Sequence, residues 1–197
     1  MKTLTFASAM LVATLCALHV DAQKVRLTEG SLAPLKGQTT IATQFEYDNM
    51  RVGKYDKEED YVNAKKAEYD KKEPGRGDNW AKAWVADRRN RYEPKFNELF
   101  EKHADVAVSA KAKYTVIYKT TYIEPGYNIG ISRHNAEVNA EVWVVETANP
   151  SNVIAKLTVE HAPGKVFMGN DYDTGDRISE SYASAGKAVG HFIKSKS

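Results

Sequence analysis

The sequence predicts an α+β fold: a single mixed, largely antiparallel sheet of about five strands, packed by a C-terminal helix and a helical insert. Three observations carry that reading. Apolar and polar residues alternate in several short stretches, the period of a half-buried strand. A charged segment between the first two of these stretches has helical spacing instead, and the last segment carries an apolar stripe recurring every three to four residues.

Residues 1–22 read as a signal peptide. Lys2 supplies the positive start, Leu4 to Val20 the apolar middle, and Val20-Asp21-Ala22 the compact residues before a cut after Ala22. A membrane anchor would need about 20 predominantly apolar residues, and Thr5, Ser8, Thr14 and His19 interrupt this stretch. Lipid attachment at Cys16 would call for a small residue before the cysteine, where this chain has Leu15. The expectation is therefore a periplasmic or secreted protein with no stable membrane span after cleavage. Cleavage leaves 175 residues, the length of one domain, with no cysteine and a formal charge of +2. Disulfides and thiol chemistry are excluded from that mature chain, and so balanced a charge predicts no nucleic-acid partner.

Residues 23–38, with Gly30, Pro34 and Gly37, read as an irregular lead-in to a single α/β domain over 39–197. From Thr39, Ile41, Thr43, Phe45 and Tyr47 alternate with polar neighbours in the first strand. A helical insert spans 56–103. Its first helix begins with Asp56, Glu58, Glu59 and Asp60, acids suited to a positive helix N-terminus, and ends near Pro74-Gly75. Its second helix carries Trp80, Trp84, Arg88, Tyr92 and Phe96 at four-residue steps, with an interruption expected at Pro94, which has no N–H to donate. These rings are expected to pack on the sheet, a reading preferred to a carbohydrate or ligand platform.

After His103 the period returns to two. Val106 and Val108 mark a short strand, and Tyr114, Val116 and Tyr118 a longer one that runs to Ile123. Ala136, Val138, Ala140, Val142 and Val144 form the most regular strand. Asn149-Pro150-Ser151-Asn152 then turns the chain into a returning strand over Val153 to His161. The small residues Ala136 and Ala140 leave room for a helix. That helix is the last segment, where Ile178, Tyr182, Ala185, Val189 and Ile193 share one face. Gly186 and Gly190 would each cost about 1 kcal/mol relative to Ala, which suits a close approach of helix to sheet.

The stretch Ala136 to Glu146, the turn at Asn149 to Asn152, Val153 to Leu157, and Tyr182 to Gly190 with Phe192-Ile193-Lys194 resemble an uncharacterised group of secreted or lipid-anchored Gram-negative envelope proteins. The domain of that group is similar to the N-terminal domain of TolB and the periplasmic domain of the curli secretion channel. The resemblance implies an envelope location and brings no catalytic residues with it.

Few residues suggest chemistry. Arg76-Gly77-Asp78 is a tripeptide that integrins read, placed in an expected turn, but Asp78 also suits the N-cap of the Trp80 helix. Asp171, Asp173 and Asp176 offer carboxylates for a metal without following the EF-hand loop, and equally suit the start of the closing helix. The mature histidines are dispersed along the chain, with no pair at helix or hairpin ligand spacing. Glu137 and Glu141 lie on one strand face about 13 to 14 Å apart along it, too far for a glycosidase pair. No catalytic residue and no cofactor is implied. The connection over 124–134 mixes apolar, aromatic and hydrogen-bonding residues, and Tyr127, Asn128, Arg133 and His134 are its candidate binding residues.

The functional expectation is a non-enzymatic envelope protein, a binding or assembly module whose partner is an envelope protein, a peptide or a glycan. The alternative is a small-ligand-binding or hydrolytic protein that uses the loop 124–134. A third, structural possibility is pairing of a sheet edge with another copy or an envelope machine.

Overall fold

The computed structural model describes residues 23–129, 131–164 and 173–197, so the predicted signal peptide and Asp171 lie outside the described residues. The strands are β1 (Lys24–Gly30), β2 (Thr40–Glu46), β3 (Arg51–Val52), β4 (Ala107–Val108), β5 (Tyr114–Glu124), β6 (Tyr127–Asn128), β7 (Arg133–His134), β8 (Ala136–Glu146) and β9 (Asn149–Gly164). The helices are α1 (Glu58–Asp70), α2 (Arg76–Asp87), α3 (Glu93–Ala104) and α4 (Thr174–Lys196). One sheet runs β1-β9-β8-β5-β2-β4, with β3 also pairing with β5. The β1–β9, β9–β8 and β8–β5 pairs are antiparallel, while β2, β3 and β4 join in parallel.

The strand alternation sorts the sheet into two faces. Val116, Tyr118, Val138, Val142, Val144, Leu157 and Val159 are buried beneath the helices. The opposite face is mainly polar, with Ile117 and Val145 buried within it, and Trp143 pairs with Ile117 at its centre. Lys119 Nζ lies 3.8 Å from that ring centroid and Lys156 Nζ 5.0 Å, while the indole N–H donates to Glu141 at 3.1 Å. An antiparallel sheet with one packed and one solvated face needs only this two-layer arrangement.

The lead-in differs from expectation. Residues 24–30 form β1, an edge strand paired with β9. All but Val25 are exposed, so neither face is selected as apolar and no alternation betrays the strand. The hairpin turn also comes earlier than expected, at 147–148, because Asn149 already pairs with Glu146.

Two structural devices shape the helical layer. Pro94 cannot donate to the carbonyl of Asn90, and the chain passes this point in a π turn over Arg88–Tyr92 that joins α2 to α3. The ridge nevertheless stays inward, with Trp84, Tyr92, Phe96 and Phe100 all buried. Its outer part packs against α1 and its inner part against the sheet and α4. Phe96 lies 4.8 Å from the Tyr118 ring, and Tyr92 stacks on Tyr182 at 5.1 Å.

The second device is the close seating of α4. A Cβ on Gly186 would stand 2.2 Å from the Phe96 carbonyl oxygen, and one on Gly190 2.8 Å from that of Phe100. The glycines therefore admit α3, where sequence spacing suggested the sheet. The sheet makes its own allowance with Gly164, whose Cβ would meet the Arg177 carbonyl oxygen at 2.0 Å, next to Ala136. Below this contact the Tyr182 and Thr120 hydroxyls share a hydrogen bond of 2.6 Å.

Gly186→Ala separates packing from helix propensity. Propensity alone favours alanine by about 1 kcal/mol, whereas the clash with α3 backbone is expected to cost about 2 kcal/mol or more. The urea unfolding midpoint checks this: it should fall, and an unchanged or raised midpoint would contradict the close contact.

Candidate functional site

The loop residues singled out by sequence come together. Tyr127 pairs with His134 and Asn128 with Arg133, making a short hairpin. The Tyr127 and His134 rings stack at 5.8 Å with 24° between their planes, and the Tyr127 and Ser132 hydroxyls are 3.4 Å apart.

A buried arginine fixes the base of this hairpin. Arg177, on the first turn of α4, donates from Nε to the Pro125 carbonyl at 3.2 Å and from Nη2 to the Gly126 carbonyl at 3.2 Å. It also reaches Thr174 Oγ1 at 3.0 Å. Glu124 completes the turn, accepting from the Gly126 N–H at 3.0 Å and from the Tyr122 hydroxyl at 3.1 Å. Both of its carboxylate oxygens are thus engaged in structure. Burial, followed by the Glu124 charge, pushes the Tyr122 hydroxyl up to about 12.

Against this turn lies a cleft of about 380 Å³, lined by Tyr55, Tyr61, Tyr69 and Trp80, by Lys54 and Lys65, and by Glu124 to Tyr127. Its rings pair with one another. Trp80 is stacked between Tyr69 at 5.7 Å and Trp84 at 5.6 Å, and Tyr61 meets Trp80 edge-on at 5.8 Å. The outer face of Tyr69 is taken by Lys72 and Arg76 at 5.3 and 5.4 Å. Burial holds the Tyr61 hydroxyl well above its ordinary range.

Glu58 locks the two sides of this aromatic wall. It accepts from the Trp84 indole N–H and from both-oxygen contacts with Arg88, whose guanidinium lies 4.4 Å from the Tyr47 ring centroid. A second cleft of about 430 Å³ shares Tyr69, Trp80 and Thr174 and opens toward Arg91. There the guanidinium gathers Asp87 at 3.0 Å, Asp173 at 3.1 Å and Asp176 at 3.0 Å. Two of the carboxylates considered for a metal thus face an arginine. Asp173 also caps α4, accepting from the Gly175 N–H at 2.7 Å. Burial pushes the Asp173 carboxyl up, but Arg91 and the backbone donors outweigh it and hold it below its ordinary range. Asp87 goes the other way, because its burial outweighs the attraction of Arg91.

Other expectations find different settings. Arg76-Gly77-Asp78 forms the first turn of α2 instead of an exposed turn, and the N-cap is Gly75. Gly77 is buried against α1, its N–H donating to Asp70 at 2.8 Å, and Asp78 pairs with Lys66. Glu137 bonds His161 Nδ1 at 2.8 Å. His103 and His191, dispersed in sequence, meet across α3 and α4 with ring centroids 4.3 Å apart. No group of three or more metal-ligating side chains occurs among the described residues.

No protein-family model matches the chain, and no curated protein matches it. Solved structures similar to it include the PelC dodecamer from Paraburkholderia phytofirmans, at 13% identity and a TM-score of 0.41, with 88% of this chain and 98% of that chain covered. A single-substitution variant of that dodecamer shows 12% identity and a TM-score of 0.35, covering 83% and 96%. Both are PelC, where the sequence resembles TolB and curli domains, and likeness of this degree carries no weight for activity or partner.

Arg177→Met would strand the Pro125 and Gly126 carbonyls, and the expected loss is about 2 to 3 kcal/mol. Thermal unfolding checks the magnitude, and faster chymotryptic cleavage after Tyr127 checks its location. Asp173→Ala removes a cap and should cost about 1 kcal/mol at neutral pH. Because the folded carboxyl is depressed, that contribution is full above the ordinary value of 3.8 and vanishes as pH falls through the lower folded value. Acid unfolding curves of the two proteins should therefore converge at low pH.

Proposed function

We propose that this protein is a non-enzymatic binding module of the cell envelope or its exterior, exported by its first 22 residues, that holds its partner in the cleft between α1, α2 and the β5–β6 turn. The single observation that carries the reading is the convergence of the loop 124–127 with the aromatic wall on one cleft. The alternative of a small ligand held by this loop converges on the same place.

The lining defines the chemistry. Lys54 and Lys65 bring positive charge, Lys65 sharing its ammonium with Glu68 at 2.9 Å, and the Tyr61 hydroxyl adds a donor, while the carboxylate of Glu124 is already engaged by Gly126 and Tyr122. A ligand that combines an apolar surface with an acidic group fits this set, such as an acidic glycan or an acidic peptide segment. Glu124 acts as a structural acid that shapes the turn, which favours binding over turnover.

The test is a binding screen of the mature protein against acidic and neutral glycans and peptides. Lys65→Ala and Tyr55→Ala are each expected to weaken retention of an acidic ligand about tenfold, whereas Lys196→Ala on the far end of α4 should leave it unchanged. Failure to bind any acidic ligand, or binding indifferent to the cleft substitutions, would count against the proposal.

A further inference from the structure

The two edges of the sheet are finished differently. β1 carries Lys24, Arg26 and a bulge between Leu27 and Glu29, devices that discourage another strand from pairing with an edge. The far half of β2 has none of them. β4 covers β2 only at Thr40 and Ile41, and Thr43-Gln44-Phe45-Glu46 continues past it, in unbroken register with β5 on the other side.

Backbone direction shows what this edge offers. Thr39 and Ile41 turn their carbonyls toward β4, accepting from the Ala107 N–H at 2.9 Å and the Ser109 N–H at 3.1 Å. Successive residues of a strand direct their backbone groups to opposite neighbours, so those of Thr43 and Phe45 point the same way, beyond the end of β4. No strand pairs with them there, and no other hydrogen bond reaches them on that side among the described residues. Both residues are only half-buried, so a row of backbone donors and acceptors is left open.

Beside this row lies a third cleft, of about 480 Å³, between Phe45 and Tyr47 at the end of β2 and Val85, Arg88, Arg89 and Glu93 of the helical insert. It shares no lining residue with the two clefts above. Val85 is 53% exposed, an apolar side chain that the core does not use. Arg88 is held by Glu58 and the Tyr47 ring, and Glu93 accepts from the Tyr47 hydroxyl at 3.3 Å. Arg89 is exposed and forms no salt bridge among the described residues, so it sets the charge at the mouth.

We propose that the open half of the β2 edge, together with this cleft, takes up an extended peptide segment of a partner protein by strand addition. The segment continues the line of β4, and its amides and carbonyls bond Thr43 and Phe45. An apolar side chain enters the cleft against Phe45 and Val85, and an acidic one meets Arg89. The site is separate from the aromatic cleft, and neither reading depends on the other.

The probes are short synthetic peptides in which valine alternates with threonine around one glutamate, and the same peptides with lysine in place of the glutamate. Added to nitrogen-15 labelled mature protein, the glutamate peptide should slow solvent exchange of the Thr43 and Phe45 amides by at least about tenfold, with little change at Gln44, which already faces β5. N-methylation of alternate peptide amides should abolish binding in one phase and be tolerated in the other, because only one set faces the edge. The lysine peptide should bind about tenfold more weakly, and so should the glutamate peptide on Val85→Glu, whose thermal midpoint should be unchanged. Failure of the glutamate peptide to bind, binding that leaves the Thr43 and Phe45 amides unprotected, or equal tolerance of both N-methyl patterns would overturn the proposal. So would slow exchange of these amides in the free protein that dilution abolishes, because a second copy would then hold the edge.

Discussion

The seating of α4 is the constraint on which the rest of the structure depends. Its backbone touches backbone on two sides, at Gly186 against Phe96 of α3 and at Gly164 of β9 against its own Arg177. Neither contact has room for a side chain, so the helix has one depth and one rotation that fit. That placement puts Ile178, Tyr182, Ala185, Val189 and Ile193 into the core and brings Tyr182 under Tyr92 and against Tyr118. Contacts of this kind are directional in a way that apolar burial alone is not.

The same placement builds the candidate site. With the helix fixed, the Arg177 backbone stands beside the β5–β6 turn, and the guanidinium binds the carbonyls of that turn. A guanidinium taken out of water must find acceptors, and two carbonyls of that turn and the Thr174 hydroxyl at the start of α4 supply them. The turn then sets the wall of the cleft and the root of the hairpin that follows. At the other side of the helix start, Asp173 and Asp176 meet Arg91 and bind α4 to the π turn between α2 and α3. A helix N-terminus so anchored joins three separate stretches of sequence, and the clefts open where those stretches meet.

Much of this frame was legible in the sequence. β8 and much of β9 announce themselves because the residues of one face are buried and those of the other are not, which forces period two, while β5 alternates in sequence although Tyr114 to Tyr118 are all buried. The apolar stripe of α4 is legible for the corresponding reason, and the loop 124–134 stood out by its mixed composition. What was not legible has physical causes. β1 is exposed on nearly every residue, so it leaves no pattern. Arginine is rarely buried, and nothing near Arg177 in sequence signals that its acceptors lie some fifty residues away. Asp78 has the right chemistry for a cap, yet α2 begins earlier because Gly75 takes a left-handed φ of 83° and Gly77 packs on α1. The aromatic wall was visible as a ridge, but its partner rings come from α1, whose own pattern is thin. The contact of His103 with His191 likewise depends on how α3 lies along α4.

The claim that α4 fixes the site through Arg177 is open to one direct measurement, the solvent exchange of the Arg177 Nε–H in nitrogen-15 labelled protein. Bonded to the Pro125 carbonyl and buried, that proton should give a resolved resonance exchanging about a hundredfold more slowly than those of exposed arginines such as Arg26 and Arg51. An exchange rate indistinguishable from theirs would contradict the account, because the turn and the cleft would then be held by something other than α4.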